Sequence, residues 1–224
     1  MNSNECYVLM EKICAKNRQQ GYLTQDEFNI YINAAQRSYL DYLLGQYQKY
    51  APYRPIAVVE FGQTKRLRQS LAPLIYGTVL SINNVTGISS FPSDLEETDN
   101  MWSVYGNYNI RFAQQPRLDS FYHSTIDPIE ENPVFLIKHE GFQFYPEDLG
   151  LARLSYVRTP PSIIWGSQPD FNGIPQYDPL TSQDPVWSDT DILNIIVRAL
   201  DMVGVSMQFG AVVQYANKIK EGGQ

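Results

Sequence analysis

The sequence predicts an α+β protein with helices at both ends, a small antiparallel β-module in the middle and a proline-rich segment before the last helices. Apolar residues recur at helical spacing near both ends of the chain, while strand-like runs separated by turn residues fill the middle. The predicted boundaries are 1–76 for the N-terminal helical region, 77–158 for the β-module, 159–187 for the proline- and aromatic-rich segment and 188–224 for the C-terminal helical region. The four stretches are expected to form one structural unit.

The N-terminal region is predicted to hold three helices. Residues 4–19 have apolar side chains at roughly helical spacing, and a second, longer pattern runs from a capping box at Thr24 and Glu27 to Pro52. A third, shorter helix is expected over residues 64–72. Both cysteines of the chain lie eight positions apart in the first helical pattern, where a local disulfide fits poorly, so both are expected to be reduced and buried.

The β-module is predicted from four strand-like runs: TVLSI, MWSVYGNYNIRF, VFLIKHEGFQFYP and ARLSYVR. In the third run, His139, Glu140 and Gly141 form the expected turn of a hairpin with arms at 134–138 and 142–145. One short helix is expected within residues 116–133.

The C-terminal helix is predicted to begin at a cap around Ser188, with acidic residues in its first turn. Trp187 and Ile192 have the spacing of a hydrophobic staple across that cap. The helix is expected to bend or break at Gly204 or Gly210, and a last helical run follows.

Residues 159–187, here called the arm, contain six prolines together with two tryptophans, a tyrosine and a phenylalanine. Proline removes backbone donors, so the arm is predicted to lack regular secondary structure. Its aromatic content is too high for a disordered linker. The arm is therefore expected to be ordered, with its aromatic side chains buried partly against a neighbouring subunit or partner. The contact residues predicted for that interface are Trp165, Phe171, Tyr177 and Trp187.

Composition bounds the function. The chain has 224 residues, 43% of them hydrophobic, and a net charge of −7, which argues against gripping nucleic acid as its main activity. No apolar run reaches the length of a membrane span, and charges interrupt the N-terminal apolar stretch, so the protein is expected in the cytoplasm when made. Lys65, Arg66 and Arg68 form a basic cluster that suits contact with DNA or an acidic partner, or simply a solvated helix face.

Catalytic signals are weak. The only histidines are His123, with acidic residues four positions to either side, and His139, at the predicted hairpin turn. Neither belongs to a nucleophile motif, and the acidic residues near 94–99 and 184–191 match no calcium loop, so capping and solvated carboxylates are the favoured interpretation. We therefore predict no catalytic residue, no cofactor and no metal.

Aromatic residues are abundant, with 16 tyrosines, 10 phenylalanines and three tryptophans. Tyrosine and tryptophan combine a large rigid apolar area with a polar group, which suits cores, protein interfaces and glycan-binding faces alike. Aromatic content alone therefore leaves protein assembly and glycan binding both open.

The second half of the chain contains three phrases, YVRTPPSIIWG, NGIPQYDPLTSQDPVWSDTDILNIIVRALDMVGVS and VVQYANKIKEGG. Together they resemble the C-terminal part of virion proteins from tailed phages of Bacteroidetes, including the crAss-like group. The likeness covers residues 155–221, and FPSDLEE and ENPVFL are weaker echoes of it. The chain departs from the family pattern at Ser188 and Asp189, where the family has Pro-Glu.

This resemblance implies a structural protein of the phage neck: a head-to-tail connector, or adaptor, that forms a closed ring, twelvefold like the portal. Its implied partners are its own copies, the portal protein, the next ring of the neck or tail, and genomic DNA in transient non-specific contact. The implied location is the virion, and the host cytoplasm during assembly. A tail accessory protein or a glycan- or protein-binding module is the alternative, and an enzyme is the weakest hypothesis.

Overall fold

A computed structural model describes residues 1–15, 23–48, 58–115, 128–206 and 218. The chain divides into two compact units, one made of Met1–Pro73 with Pro160–Gln224 and the other of Leu74–Thr159. The first unit holds the helices and the arm, and the second holds the β-module. The predicted α+β class, with helices at both ends and a central sheet module, is confirmed.

The first unit contains the helices α1 (Ser3–Ala15), α2 (Gln25–Gln48), α3 (Val58–Leu71) and α4 (Asp189–Ser206). A short 3-10 helix, Ala72–Leu74, follows α3. The predicted capping box opens α2, since the Thr24 hydroxyl accepts from the Glu27 backbone at 3.3 Å while the Glu27 carboxylate accepts from the Thr24 backbone at 3.0 Å. Helix α3 begins six residues before the predicted position 64.

The described core of this unit lies mainly between α1, α2 and α4. Apolar side chains that are almost fully buried come from α1, α2 and α4, and α2 packs along α4. Its largest members are Met10, Phe28, Ile32, Leu40 and Ile192. At the start of α4 the Ser188 hydroxyl accepts from the Asp191 backbone at 3.3 Å, so the predicted cap is confirmed. Gly204 lies within α4 and does not end it.

The described residues of the second unit form seven strands: β1 (Ile75–Ser81), β2 (Ile88–Ser89), β3 (Leu95–Ser103), β4 (Arg111–Phe112), β5 (Val134–Lys138), β6 (Gly141–Tyr145) and β7 (Leu151–Arg158). They form a three-stranded sheet in the order β1-β7-β3 and a four-stranded sheet in the order β2-β6-β5-β4. Among the described residues of this unit every strand pair is antiparallel except β4 with β5. The two sheets enclose a core rich in phenylalanine, with Phe142 and Phe144 fully buried.

The predicted hairpin is confirmed, because β5 pairs with β6 from Val134 opposite Tyr145 to Lys138 opposite Gly141. Gly141 is required there. Its φ is +147°, and a Cβ would lie 2.1 Å from the Ser89 carbonyl oxygen. The predicted single run over 101–112 was wrong, because a turn containing Gly106 and Asn107, both at positive φ, separates β3 from β4.

The sequence also failed to predict the first half of β3. Glu96, Glu97 and Asp99 were interpreted as turn or capping acids, but all three lie on this strand. β3 is a sheet edge with two register shifts against β7, and a bulged edge tolerates charged residues. Glu96 is exposed there, whereas Glu97 and Asp99 are partly buried. The helix expected within 116–133 falls mostly in residues 116–127, outside the described residues.

Candidate functional site

The arm leads into α4 through Trp187, and it contacts α1 and α2 of its own unit. It contains two three-residue strands, β8 (Ser167–Pro169) and β9 (Pro175–Tyr177), so the prediction that it lacks regular structure was wrong. The two strand prolines face each other as one cross-strand pair. Pairs in an antiparallel ladder alternate between those that exchange hydrogen bonds and those that do not, and prolines fit the second kind.

The base of the arm is tied to α2 by side-chain amides. Asn29 donates to the Trp165 carbonyl at 3.3 Å and accepts from the Trp165 backbone N–H at 2.8 Å. Asn33 does the same for Ile163, with both bonds at 2.8 Å. Each asparagine thus satisfies both backbone groups of an arm residue, as a neighbouring strand would.

Gln36 continues this amide ladder one turn further along the helix. Its amide donates to the Pro161 carbonyl at 3.0 Å and accepts from the Trp187 indole N–H at 3.2 Å. The spacing explains why a helix can act as a strand here. From Asn29 to Asn33, four helical residues rise about 6 Å, close to the roughly 6.6 Å that two extended arm residues span. From Asn33 to Gln36, three helical residues rise only about 4.5 Å, and the longer glutamine side chain still bonds to the next alternate arm residue.

Trp165 is the first anchor of the arm and is 4% exposed. Its ring stacks on Tyr7 of α1 with centroids 4.0 Å apart and planes 14° apart. Its indole N–H donates to the Asn4 side chain at 3.1 Å. Burial of the ring with its donor paired removes a large apolar surface from water without a desolvation penalty.

Trp187 is the second anchor and is also 4% exposed. It packs edge-on against Tyr39 at 5.5 Å, and the Tyr39 hydroxyl donates to the buried Asp191 carboxylate at 2.6 Å. Burial, followed by this hydrogen bond, raises the pKa of Tyr39 well above its usual range. The N-terminal end of α4 is therefore fixed to α2 beside the end of the arm.

The tip of the arm, residues 168–181, has the opposite character. The Asp170 carboxylate accepts from the backbone of Asn172 at 2.8 Å and of Ile174 at 3.0 Å, and Gly173 adopts a positive φ of +76°. This closes a tight loop between β8 and β9. Phe171 on that loop is fully exposed and Ile174 is about half exposed.

A second turn holds Leu180 in the tip. The Asp178 carboxylate accepts from the Leu180 backbone at 3.0 Å, the Thr181 hydroxyl at 3.0 Å and the Gln168 amide at 2.9 Å. These bonds, with the backbone bond to Leu180 the largest contribution, lower the pKa of Asp178. Leu180 itself is almost fully exposed. The tip thus presents apolar side chains on a backbone fixed by hydrogen bonds.

The four predicted contact residues therefore fall into two groups. Trp165 and Trp187 are buried against helices of their own chain and leave almost no surface for a second one. Tyr177 is half buried beside Trp165, with ring centroids 6.3 Å apart, and Phe171 is fully exposed. An interface through the arm would therefore use Phe171 and Leu180, and sequence reasoning did not single out Leu180.

The predicted basic cluster lies on α3. Lys65, Arg66 and Arg68 are all exposed. Lys65 and Arg66 have no ion pair within the described residues, whereas Arg68 has a partner. Two unpaired cations on adjacent positions are available to an acidic partner or a phosphate.

The catalytic and metal hypotheses gain no geometric support. His139 is exposed at the β5–β6 turn, and His123 lies outside the described residues. In the described ranges no three His, Cys, Asp or Glu side chains are grouped as metal ligands. Cys6 and Cys14 are buried thiols, and burial raises the pKa of Cys6 to about 11.

An open pocket of about 260 Å³ occurs on the second unit, and sequence reasoning missed it. Apolar side chains and two adjacent carboxylates line it, chiefly Phe91, Leu95, Ile137, Phe142, Glu96 and Glu97. We call it the acidic pocket. Its signal in the sequence was the pair of glutamates after Phe91 and Leu95, which was interpreted as solvated or capping carboxylates.

Comparison with known proteins gives no family. No model of a protein family matches the chain, and no curated protein matches it either. Within the described residues no helix has the length and apolar character needed to cross a membrane.

Proposed function

We propose that this protein is a non-enzymatic structural protein of a phage virion that forms a ring in the head-to-tail connector, between portal and tail, through which DNA passes. The resemblance of residues 155–221 to phage virion proteins motivates this proposal. The plan of terminal helices, a small β-module and an arm is the plan that the resemblance implies.

The exposed tip of the arm is the observation that carries the proposal. Phe171 and Leu180 stand in water on a backbone that Asp170 and Asp178 hold in place. A preorganised apolar projection loses little conformational entropy when a partner covers it. This is the property expected of an arm that engages a neighbouring subunit or the portal.

The chemistry of the tip favours a protein partner over a glycan. A sugar-binding aromatic face gains from the polar group of tyrosine or tryptophan, which bonds to hydroxyls. The exposed tip side chains Phe171, Ile174 and Leu180 have no such group. A net charge of −7 also suits a ring that DNA passes without adhering.

The test is to locate the protein in purified virions of the phage that encodes it. Antibody labelling and cryo-electron microscopy should place the chain in a ring at the neck. Density at the tail tip or fibres would support the accessory-module alternative. Absence of the chain from virions would contradict the proposal.

A further inference from the structure

The acidic pocket on the second unit has the size of a side chain. At about 260 Å³ it lies below the range of about 300–1,000 Å³ that holds small-molecule ligands. Its apolar lining includes Phe142, which belongs to the core, and Phe91, which packs against that core. An extended group with an aliphatic stem would fit this lining.

Glu97 gives the pocket a charge preference. It lies on β3, and its carboxylate has neither a hydrogen bond nor an ion pair within the described residues, whereas the carboxylate of the neighbouring Glu96 accepts from the Thr159 hydroxyl at 3.0 Å. Burial, and then the charge of Glu96, raise the pKa of Glu97. A cation brought into the pocket would favour the charged form of both carboxylates and so counteract this rise in pKa. Lysine and arginine supply the aliphatic stem and the charge together.

The complementary group is present on the same chain. Lys65 and Arg66 on α3 are exposed and unpaired within the described residues. Because successive helical residues point about 100° apart, one side chain can enter a pocket while the other faces its rim. Their positive charges complement the carboxylates of Glu97 and Glu96.

We propose that Lys65 and Arg66 of one copy of the protein dock into the acidic pocket of a neighbouring copy. This rests on the proposed function, since it supplies the contact between subunits of the ring. The two patches are different surfaces of the chain, so the contact is heterologous, which is the kind that closes into a ring.

A cross-linking experiment tests the contact without disturbing its charges. Gln69→Cys lies on α3 next to the basic pair, and Ser90→Cys lies beside Phe91 of the pocket; both positions are exposed. Mixing these two single variants under mild oxidation should give a mixed disulfide dimer. The native cysteines are buried, and the matched control replaces Ser90→Cys by Ser81→Cys, an exposed serine elsewhere on the second unit. Equal yields from the two mixtures would overturn the proposal.

Charge reversal tests the same contact by its energy. Two double variants are made. One carries Lys65→Glu and Arg66→Glu, and the other carries Glu96→Lys and Glu97→Lys. Each should self-associate about tenfold or more weakly than wild type in sedimentation velocity. An equimolar mixture of the two should associate as wild type does, because every contact is then complementary. Glu96→Gln with Glu97→Gln provides a milder variant if the lysines impair folding, and thermal melting checks each chain.

Controls and conditions separate this contact from a general charge effect. Two control double variants change the net charge by the same amounts at other exposed positions: Lys12→Glu with Arg37→Glu, and Glu140→Lys with Glu147→Lys. Both should leave self-association unchanged. Wild-type association should weaken as salt rises from about 0.01 M to about 1 M, where the screening length falls from about 30 Å to about 3 Å.

The outcomes distinguish this proposal from the proposed function. A ring in virions together with failed rescue in the mixture would overturn the docking and leave the ring intact. A wild-type chain that stays monomeric at every concentration in low salt would also overturn the docking, whereas virion localisation would still decide the function. Binding of short duplex DNA that depends on Lys65 and Arg66, without rescue, would assign the basic pair to nucleic acid instead.

Discussion

The base and the tip of the arm share a composition and differ in what their side chains contact. At the base, Trp165 and Trp187 are buried and their indole donors are paired with amides of α1 and α2. At the tip, Phe171 and Leu180 are exposed although the backbone around them is equally well bonded. The difference shows that order in the tip comes from backbone bonds to Asp170 and Asp178, which leaves its apolar side chains available to another molecule.

The largest expected effect on stability is at Trp165. Trp165→Ala removes the ring that stacks on Tyr7 and leaves a cavity, so we expect a loss of about 3–5 kcal/mol in the free energy of unfolding. Denaturant unfolding followed by circular dichroism measures it. A loss below about 1 kcal/mol would mean that the base of the arm is as expendable to the fold as the tip.

The amide ladder should come next. Asn33→Ala leaves the backbone N–H and carbonyl of buried Ile163 without their partner, and we expect a loss of about 2 kcal/mol. Asn33→Asp keeps an acceptor for the Ile163 N–H but places a carboxylate oxygen against the Ile163 and Asn29 carbonyls, so it should also lose stability. The control is Arg37→Ala on the exposed face of the same helix, which should stay within about 0.5 kcal/mol of wild type. Equal losses in Asn33→Ala and Arg37→Ala would contradict the role of the ladder.

Those two regions also mark what the sequence could and could not predict. Local patterns were predicted correctly: the caps at Thr24 and Ser188, and the hairpin that turns just before Gly141. In each of them the interacting residues lie within about a dozen positions of one another. The ladder depends on side chains about 130 residues apart, although amides spaced four and three apart on a face with Phe28 and Ile32 were a signal that went unused. The first half of β3 was missed because its acidic residues suit a bulged edge, which is a property of the sheet and not of the local sequence.

A smaller effect on stability is expected when low pH protonates Asp178 in the turn that supports Leu180. The pKa of Asp178 is lowered from its ordinary value of 3.8, so its charged form stabilises the folded state. That contribution is fully present above the unfolded pKa and is lost as pH falls through the lower folded pKa. Melting temperatures measured between about pH 6 and about pH 2 should therefore fall more for wild type than for Asp178→Asn, with the divergence beginning near the ordinary pKa of 3.8 and growing as the pH falls further. A constant difference between the two would show that the carboxylate charge is irrelevant to the turn.

The smallest expected effect on stability is at the tip side chains, and it is the one that separates the tip from the base most sharply. Phe171→Ala and Leu180→Ala remove side chains that contact little in the folded chain, so each should change the free energy of unfolding by less than about 0.5 kcal/mol. If a partner covers them, each buried side chain contributes about 2 kcal/mol, or about thirtyfold in affinity for the assembly. Val85→Ala is the matched control, since Val85 is 83% exposed but lies on the second unit. Incorporation into virions, compared among the three variants, decides whether the tip is part of the interface. Equal incorporation of all three would contradict a contact through the tip. Loss in the two tip variants alone would assign the contact to the exposed end of the arm.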